Sequence, residues 1–203
     1  TGTGVADDST YLDWATVEAV PGPLPTPTPA TNQLVIDGQK GITPPVYFPW
    51  TGNLLTEDVA NTLQSLGCEM VRIEFIKEGN CSINYAAYDE IVDRCAARGI
   101  EVLGLLDYQT VCYTDDAEWE NQPFRDTFTA RCQEIVTHFA NRPNKIRHWE
   151  IWNEPDLDVS AEGGPKYRIE PNNYGALIAQ VYPAIKAIDP GCTAVSGGIA
   201  AKG

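Results

Sequence analysis

The sequence predicts an α/β protein whose strands form a parallel sheet. From about residue 33, short apolar runs alternate with stretches that carry apolar residues at helical spacing. That alternation is the signature of right-handed βαβ units, in which each helix returns the chain to start the next parallel strand. No Gly-x-Gly-x-x-Gly follows the first strand, so a dinucleotide-binding version of this class has no support. At 203 residues the chain is long enough to bury a substantial core.

The elements follow in order. Gly41 to Phe48 reads as a weak first strand interrupted by Pro44 and Pro45. Thr56 reads as an N-cap, with Glu57 and Asp58 in the favourable first turn of a helix. Val59, Leu63 and Leu66 would share its inner face, and Gly67 would end it. Met70 to Ile76 is the second strand. The second helix buries Tyr85, Tyr88, Ile91, Val92 and Cys95 and ends near Gly99; Ile100 to Leu106 is the third strand. A third helix begins around Pro123 and turns Phe124, Phe128, Cys132, Ile135 and Phe139 inward. Ile146 to Trp152 is the fourth strand. The fourth helix runs from about Asn172 to Ile188 through Tyr174, Leu177, Ile178, Val181 and Ile185, and Pro183 should kink or interrupt it. Thr193 to Gly198 is the fifth strand.

Three regions are expected: a polar tail over 1–19, a linker over 20–32, and the α/β domain over 33–203. The linker holds five of the fifteen prolines, which fix φ and remove donors, so it should be an extended spacer of the kind that joins modules of secreted enzymes. The chain starts at Thr1 without a charged and apolar leader, as expected of a processed or internal segment. A formal net charge of −14 repels nucleic acid and anionic lipid, so neither is an expected partner. No apolar run is long enough to span a bilayer. The six cysteines include no Cys-x-x-Cys pair, which argues against a zinc ribbon or thioredoxin-type centre. Their even number beside the linker points to a secreted, extracellular protein with some disulfides; buried free thiols are the other reading.

The chemistry concentrates where the fourth strand ends, at Trp149-Glu150-Ile151-Trp152-Asn153-Glu154-Pro155. In a β/α barrel, functional residues stand at the carboxyl ends of strands. Aromatic faces stack on sugar rings, an Asn amide hydrogen-bonds a sugar hydroxyl, and apolar walls would keep the Glu154 carboxyl protonated until it delivers its proton. A buried strand with an incidental Glu is the structural alternative.

This run resembles the fourth-strand signature of clan A glycoside hydrolases, the retaining (β/α)8-barrel glycosidases. Val71-Arg72-Ile73 is similar to the second-strand arginine of that clan. Tyr88-Asp89 and Arg98-Gly99-Ile100-Glu101-Val102-Leu103 resemble its second helix and third strand. Ala184-Ile185-Lys186-Ala187-Ile188-Asp189-Pro190 with Gly197-Gly198 is similar to family 39 and family 5 members. The resemblance covers roughly residues 41–200. It implies a (β/α)8 TIM-barrel type fold of which this chain holds only strands 1–5 and helices 1–4.

It also implies roles: Glu154 as general acid/base, Asn153 as the residue that binds the sugar 2-hydroxyl, and Arg72 as the arginine supporting the catalytic carboxylates. Trp152 is expected in the active-site wall. Trp50 is either a sugar platform or core. Asp107 and Tyr108 either touch substrate or cap the next loop, and Glu74 is expected to pair with Arg72. His138 and His148 read as structural, no metal-ligand spacing is present, and no cofactor is required. Cys81 and Cys112, in βα loops on the catalytic face of neighbouring strands, are the leading disulfide pair. Asn80-Cys81-Ser82 also reads as a glycosylation acceptor, a weak signal that needs a suitable host.

A retaining mechanism needs two carboxylates about 5–5.5 Å apart. In the clan the nucleophile is a Glu at the end of the seventh strand, and nothing in this chain matches it. The expectation is therefore a large part of a longer carbohydrate-cleaving enzyme. The other readings are a barrel completed by a second polypeptide, and a non-catalytic carbohydrate-binding or self-associating assembly protein built on a partial barrel.

Overall fold

The computed structural model describes residues 41–42, 47–49, 52–112, 121–157 and 168–200. The tail, the linker, the start of the domain at 33 and Trp50 lie outside the described residues. The elements run β1 (Gly41–Ile42), β2 (Tyr47–Phe48), β3 (Gly52–Asn53), α1 (Glu57–Ser65), β4 (Met70–Glu74), α2 (Tyr85–Ala96), β5 (Glu101–Leu106), α3 (Gln122–Ala140), β6 (His148–Ile151), α4 (Pro171–Ile188) and β7 (Thr193–Ser196).

Five strands form one sheet in the order β1-β4-β5-β6-β7, with every neighbouring pair parallel. Each new strand joins the same edge, so the winding never reverses as it does in an open doubly wound sheet. With right-handed crossovers, all four helices fall on one face, which is the wall of a β/α barrel.

The first predicted strand divides. Gly41–Ile42 enters the parallel sheet, while Tyr47–Phe48 pairs antiparallel with Gly52–Asn53. Pro44 and Pro45, between the two pieces, bring no backbone donors to a continuous ladder.

Helix ends follow local chemistry. Thr56 accepts from the Val59 amide, and Gly67 at φ 72° ends α1 in the left-handed region where glycine carries no Cβ penalty. The inner face of α1 is Ala60 and Leu63, however, and Val59 and Leu66 are exposed. Leu66 is the C-cap, where the chain already turns away from the sheet. Asn84 and Asn121 cap α2 and α3 through the amides of Ala87 and Phe124. Pro183 does not interrupt α4, which runs unbroken to Ile188. Val181 and Ile185, on either side of it, are fully buried in the core.

The core lies between the sheet and the helices. Val71, Ile73, Phe75, Val102, Leu106, Trp149 and Ile151 meet the buried faces of α2, α3 and α4. Gly104 is required here by space. A Cβ on it would come within 2.6 Å of the Trp149 ring and 3.1 Å of Phe75. Alternation puts Arg72, Glu74, Leu103, Leu105 and Glu150 on the opposite, barrel-facing side. No helix among the described residues is long and apolar enough to cross a membrane.

Candidate active site

The backbone leaves β6 by an unusual path. The Trp152 amide still donates to the Leu106 carbonyl at 2.8 Å, so this residue remains tied to the end of β5. Trp152 then has φ 75° and Glu154 φ 45°. Left-handed backbone costs a residue with a Cβ roughly 1–2 kcal/mol. Two such residues around Asn153 make this the most strained described turn outside glycines. Strain of this kind persists where surrounding structure over-determines it, commonly at functional sites.

The turn reverses the strand alternation. Trp152 should follow Glu150 to the barrel side, yet its ring lies among the helices, 5.9 Å from Phe124 and 5.6 Å from Phe128. It is fully buried. Trp152 is therefore core rather than site wall, because a left-handed residue rotates its side chain away from the face that alternation assigns. Asn153 and Glu154 are half-buried at the mouth.

Arg72 gathers the charges behind this turn. Its Nε donates to Glu150 Oε2 at 2.5 Å and its Nη2 to Glu150 Oε1 at 3.0 Å, a two-pronged ion pair in which Glu150 is only 1% exposed. Nη2 also donates to Asn153 Oδ1 at 2.9 Å. Burial alone would lower the arginine pKa, but the hydrogen bonds and charge of Glu150 outweigh it. Because Arg72 holds Oδ1, the Asn153 amide group is left as a donor, and it points to the Tyr108 hydroxyl at 3.5 Å. Glu150 is the residue that sequence reasoning missed. Its signal was present: it stands on the barrel side of β6, four residues before Glu154.

A second acidic group sits where β4 and β5 end. Asp107 is fully buried. Its Oδ1 accepts from the Gln109 amide at 2.8 Å, and its own amide donates to Thr110 Oγ1 at 2.9 Å, so it caps its loop. The remaining oxygen, Oδ2, has no conventional donor. The Glu74 carboxyl lies close to the Asp107 carboxyl. Burial and the charge of Glu74 push Asp107 well up, and burial pushes Glu74 up as well, so the two share a hydrogen bond that needs a proton. Glu74 thus pairs with Asp107 rather than with Arg72, whose fork is occupied by Glu150. Lys77 stands near both carboxyls.

Cys81 and Cys112 form a disulfide with a Cα separation of 5.6 Å, tying the loop after β4 to the loop after β5. Cys68, Cys95, Cys132 and Cys192 are free thiols, the last three buried. His138 contacts Asp89 at 2.7 Å and His148 contacts Glu101 at 2.9 Å, so both histidines are engaged away from the mouth.

The arrangement presents one half-exposed carboxyl, Glu154, beside an oriented amide and a buried arginine–carboxylate support. Such a group can exchange a proton with a bound ligand while Asn153 donates to it.

Comparison with known proteins identifies a family and a fold. A model of the family described as Cellulase (glycosyl hydrolase family 5) matches residues 30–199. No curated protein matches the chain in sequence. Among solved structures, the catalytic core of xylanase A has a TM-score of 0.55 at 19% identity, over 78% of this chain and 49% of that one. A family 39 glycoside hydrolase from Bacteroides cellulosilyticus WH2 has a TM-score of 0.54 at 18% identity, over 79% of this chain and 31% of that one. A glucosidase from Croceicoccus marinus has a TM-score of 0.54 at 17% identity, over 79% and 36%. These likenesses establish the fold, and the chain spans less than half the length of each of the three structures.

Proposed function

The chain belongs to the cellulase family, glycosyl hydrolase family 5, and from that premise we propose that it carries the acid/base half of a retaining glycosidase site acting on a poly- or oligosaccharide. The observation that carries this reading is the strained Asn153-Glu154 turn at the carboxyl end of a parallel strand, with Asn153 oriented by Arg72. In the first step the Glu154 carboxyl protonates the glycosidic oxygen as its bond to the anomeric carbon breaks, and a second carboxylate, outside this chain, bonds to that carbon. In the second step Glu154, now ionised, takes a proton from water as the water oxygen attacks the anomeric carbon and the second carboxylate leaves. Asn153 donates to the sugar hydroxyl next to the reacting carbon, and Tyr108 stands close enough to contact the same ring. Arg72 holds Asn153 and forms the two-pronged ion pair with Glu150 behind it. No step calls for a cofactor. The Cys81–Cys112 bridge supports an extracellular setting.

Replacement of Glu154 by Gln in the full-length protein tests the assignment. Hydrolysis of an aryl glycoside with a poor leaving group should fall by about 10²–10⁴-fold, the usual worth of a positioned acid/base. Unchanged turnover would overturn it.

A further inference from the structure

The left-handed turn at Trp152 depends on a brace from outside its own strand. Turning Trp152 directs its carbonyl towards the end of β7, where Gly197 lies directly against it. A Cβ on Gly197 would stand 2.4 Å from the Trp152 oxygen, 2.9 Å from its carbonyl carbon and 3.3 Å from the Ile151 oxygen. All three are backbone atoms, so no side chain can move aside to relieve the contact. Gly197 is needed here for space.

The same point is tied by hydrogen bonds. The Gly197 amide donates to the Ile151 carbonyl at 3.0 Å and lies 2.8 Å from the Tyr174 hydroxyl. Tyr174 reaches from the first turn of α4 and donates to the Ile151 carbonyl at 2.8 Å. Burial, with a smaller contribution from Glu150, pushes the Tyr174 hydroxyl up to about 12, while its bond to Gly197 pulls it down, so it remains a donor over the whole neutral range. One residue on, the Gly198 amide approaches Glu150 Oε1 at 3.4 Å. The turn is thus held on three sides: by Leu106 of β5, by Arg72 through Asn153, and by Tyr174 with Gly197.

We propose that Tyr174 and Gly197 are positioning residues for the acid/base, a hydroxyl strut and a backbone seat that together hold the Trp152–Glu154 turn and aim the Glu154 carboxyl at the glycosidic oxygen. This rests on the assignment of Glu154 above. Neither residue touches substrate. Their effect is geometric, and a displacement of about 1 Å at a reacting group can cost roughly 10²-fold.

The test compares Gly197→Ala, Tyr174→Phe and Glu154→Gln in the full-length protein, on two aryl glycosides of the same sugar, one with a poor and one with a highly activated leaving group. Misaiming a general acid penalises the substrate that needs protonation and spares the one that does not. Gly197→Ala should lower kcat on the poor leaving group by about 10–10²-fold and on the activated one several-fold less, with KM little changed. Tyr174→Phe should follow the same pattern with a smaller loss. It also secures the test if the alanine variant fails to fold, since it adds no atoms. Combined, the two should lose less than the product of their separate losses, because they act on one turn. Equal losses on both substrates, or none in Tyr174→Phe, would overturn the proposal. If Glu154→Gln shows the leaving-group pattern and the other two do not, only this inference fails. If Glu154→Gln does not show it, the assignment of Glu154 fails as well.

Discussion

Strands β5 and β6 leave the sheet side by side, with Leu106 opposite Ile151, and each is followed within three residues by an acidic side chain. The outcomes are opposite. After β5, Asp107 folds back on its own loop, where its carboxyl accepts from the Gln109 amide and its amide donates to Thr110 Oγ1, and it lies fully buried close to Glu74. After β6, two left-handed residues lift Glu154 to the mouth, and the buried charge of Glu150 is neutralised by Arg72 below it. An acidic residue at the end of a barrel strand becomes a loop cap or a candidate catalyst according to the backbone beneath it. The supports differ too. The β6 end rests on a complete ion pair, whereas the β5 end brings the buried Asp107 carboxyl close to the half-buried Glu74 carboxyl.

The largest expected effect that sharpens this contrast is the loss of about 10²–10⁴-fold in turnover for Glu154→Gln, set against a far smaller loss for Asp107→Asn, measured on the same aryl glycoside. Next is the ion pair. Glu150→Gln leaves the Arg72 guanidinium without its counter-charge and should cost about 3 kcal/mol, at the lower end for a buried pair because Arg72 keeps some contact with water. Urea denaturation measures it, and a cost below about 0.5 kcal/mol would place the pair in the class of surface salt bridges.

Strain predicts a gain. Glu154→Gly removes the Cβ from a residue at φ 45° and should stabilise the fold by up to about 1 kcal/mol while abolishing turnover. Equal or lower stability would mean that the turn is relaxed.

The smallest effect concerns pH. Glu74 and Asp107 both have folded-state pKa values raised above their ordinary values. The folded protein then binds protons that the unfolded chain releases. The pair's contribution to stability is therefore fully present below the ordinary carboxylate range and is lost as pH rises through the raised values. Asp107→Asn removes one titrating group and offers Glu74 a permanent amide donor, so the decline in the urea midpoint from about pH 4 upward should flatten. An unchanged decline would separate the pair from the stability profile.

Much of this was legible in the sequence. The inner faces of α2 and α3 were readable because apolar side chains recur at helical spacing, and Thr56, Gly67 and Pro123 mark helix ends through their own backbone preferences. The face of α1 was misread for a related reason. Ala60 carries too small a side chain to signal burial, and Leu66 is apolar but lies where the helix has ended. The single, proline-interrupted first strand divides because part of it pairs with the later Gly52–Asn53 segment, which no local pattern announces. At the site, the run from Trp149 to Pro155 marked the strand end, but Trp152 was expected in the site wall and Glu150 went unremarked.

By itself, the sequence determined the alternation of elements, the winding of the sheet and the placement of Asn153 and Glu154 at the end of a strand. These follow from periodicity, caps and handedness, which act over a few residues or one βαβ unit. Only the tertiary structure decided the sign of φ at Trp152 and Glu154, the partner of Arg72 and the burial of Asp107. A left-handed turn survives only where β5, β7 and α4 close around it, and a carboxyl's protonation depends on the carboxyl it meets across a strand. Both are properties of neighbours distant in the chain, and folding alone brings them together.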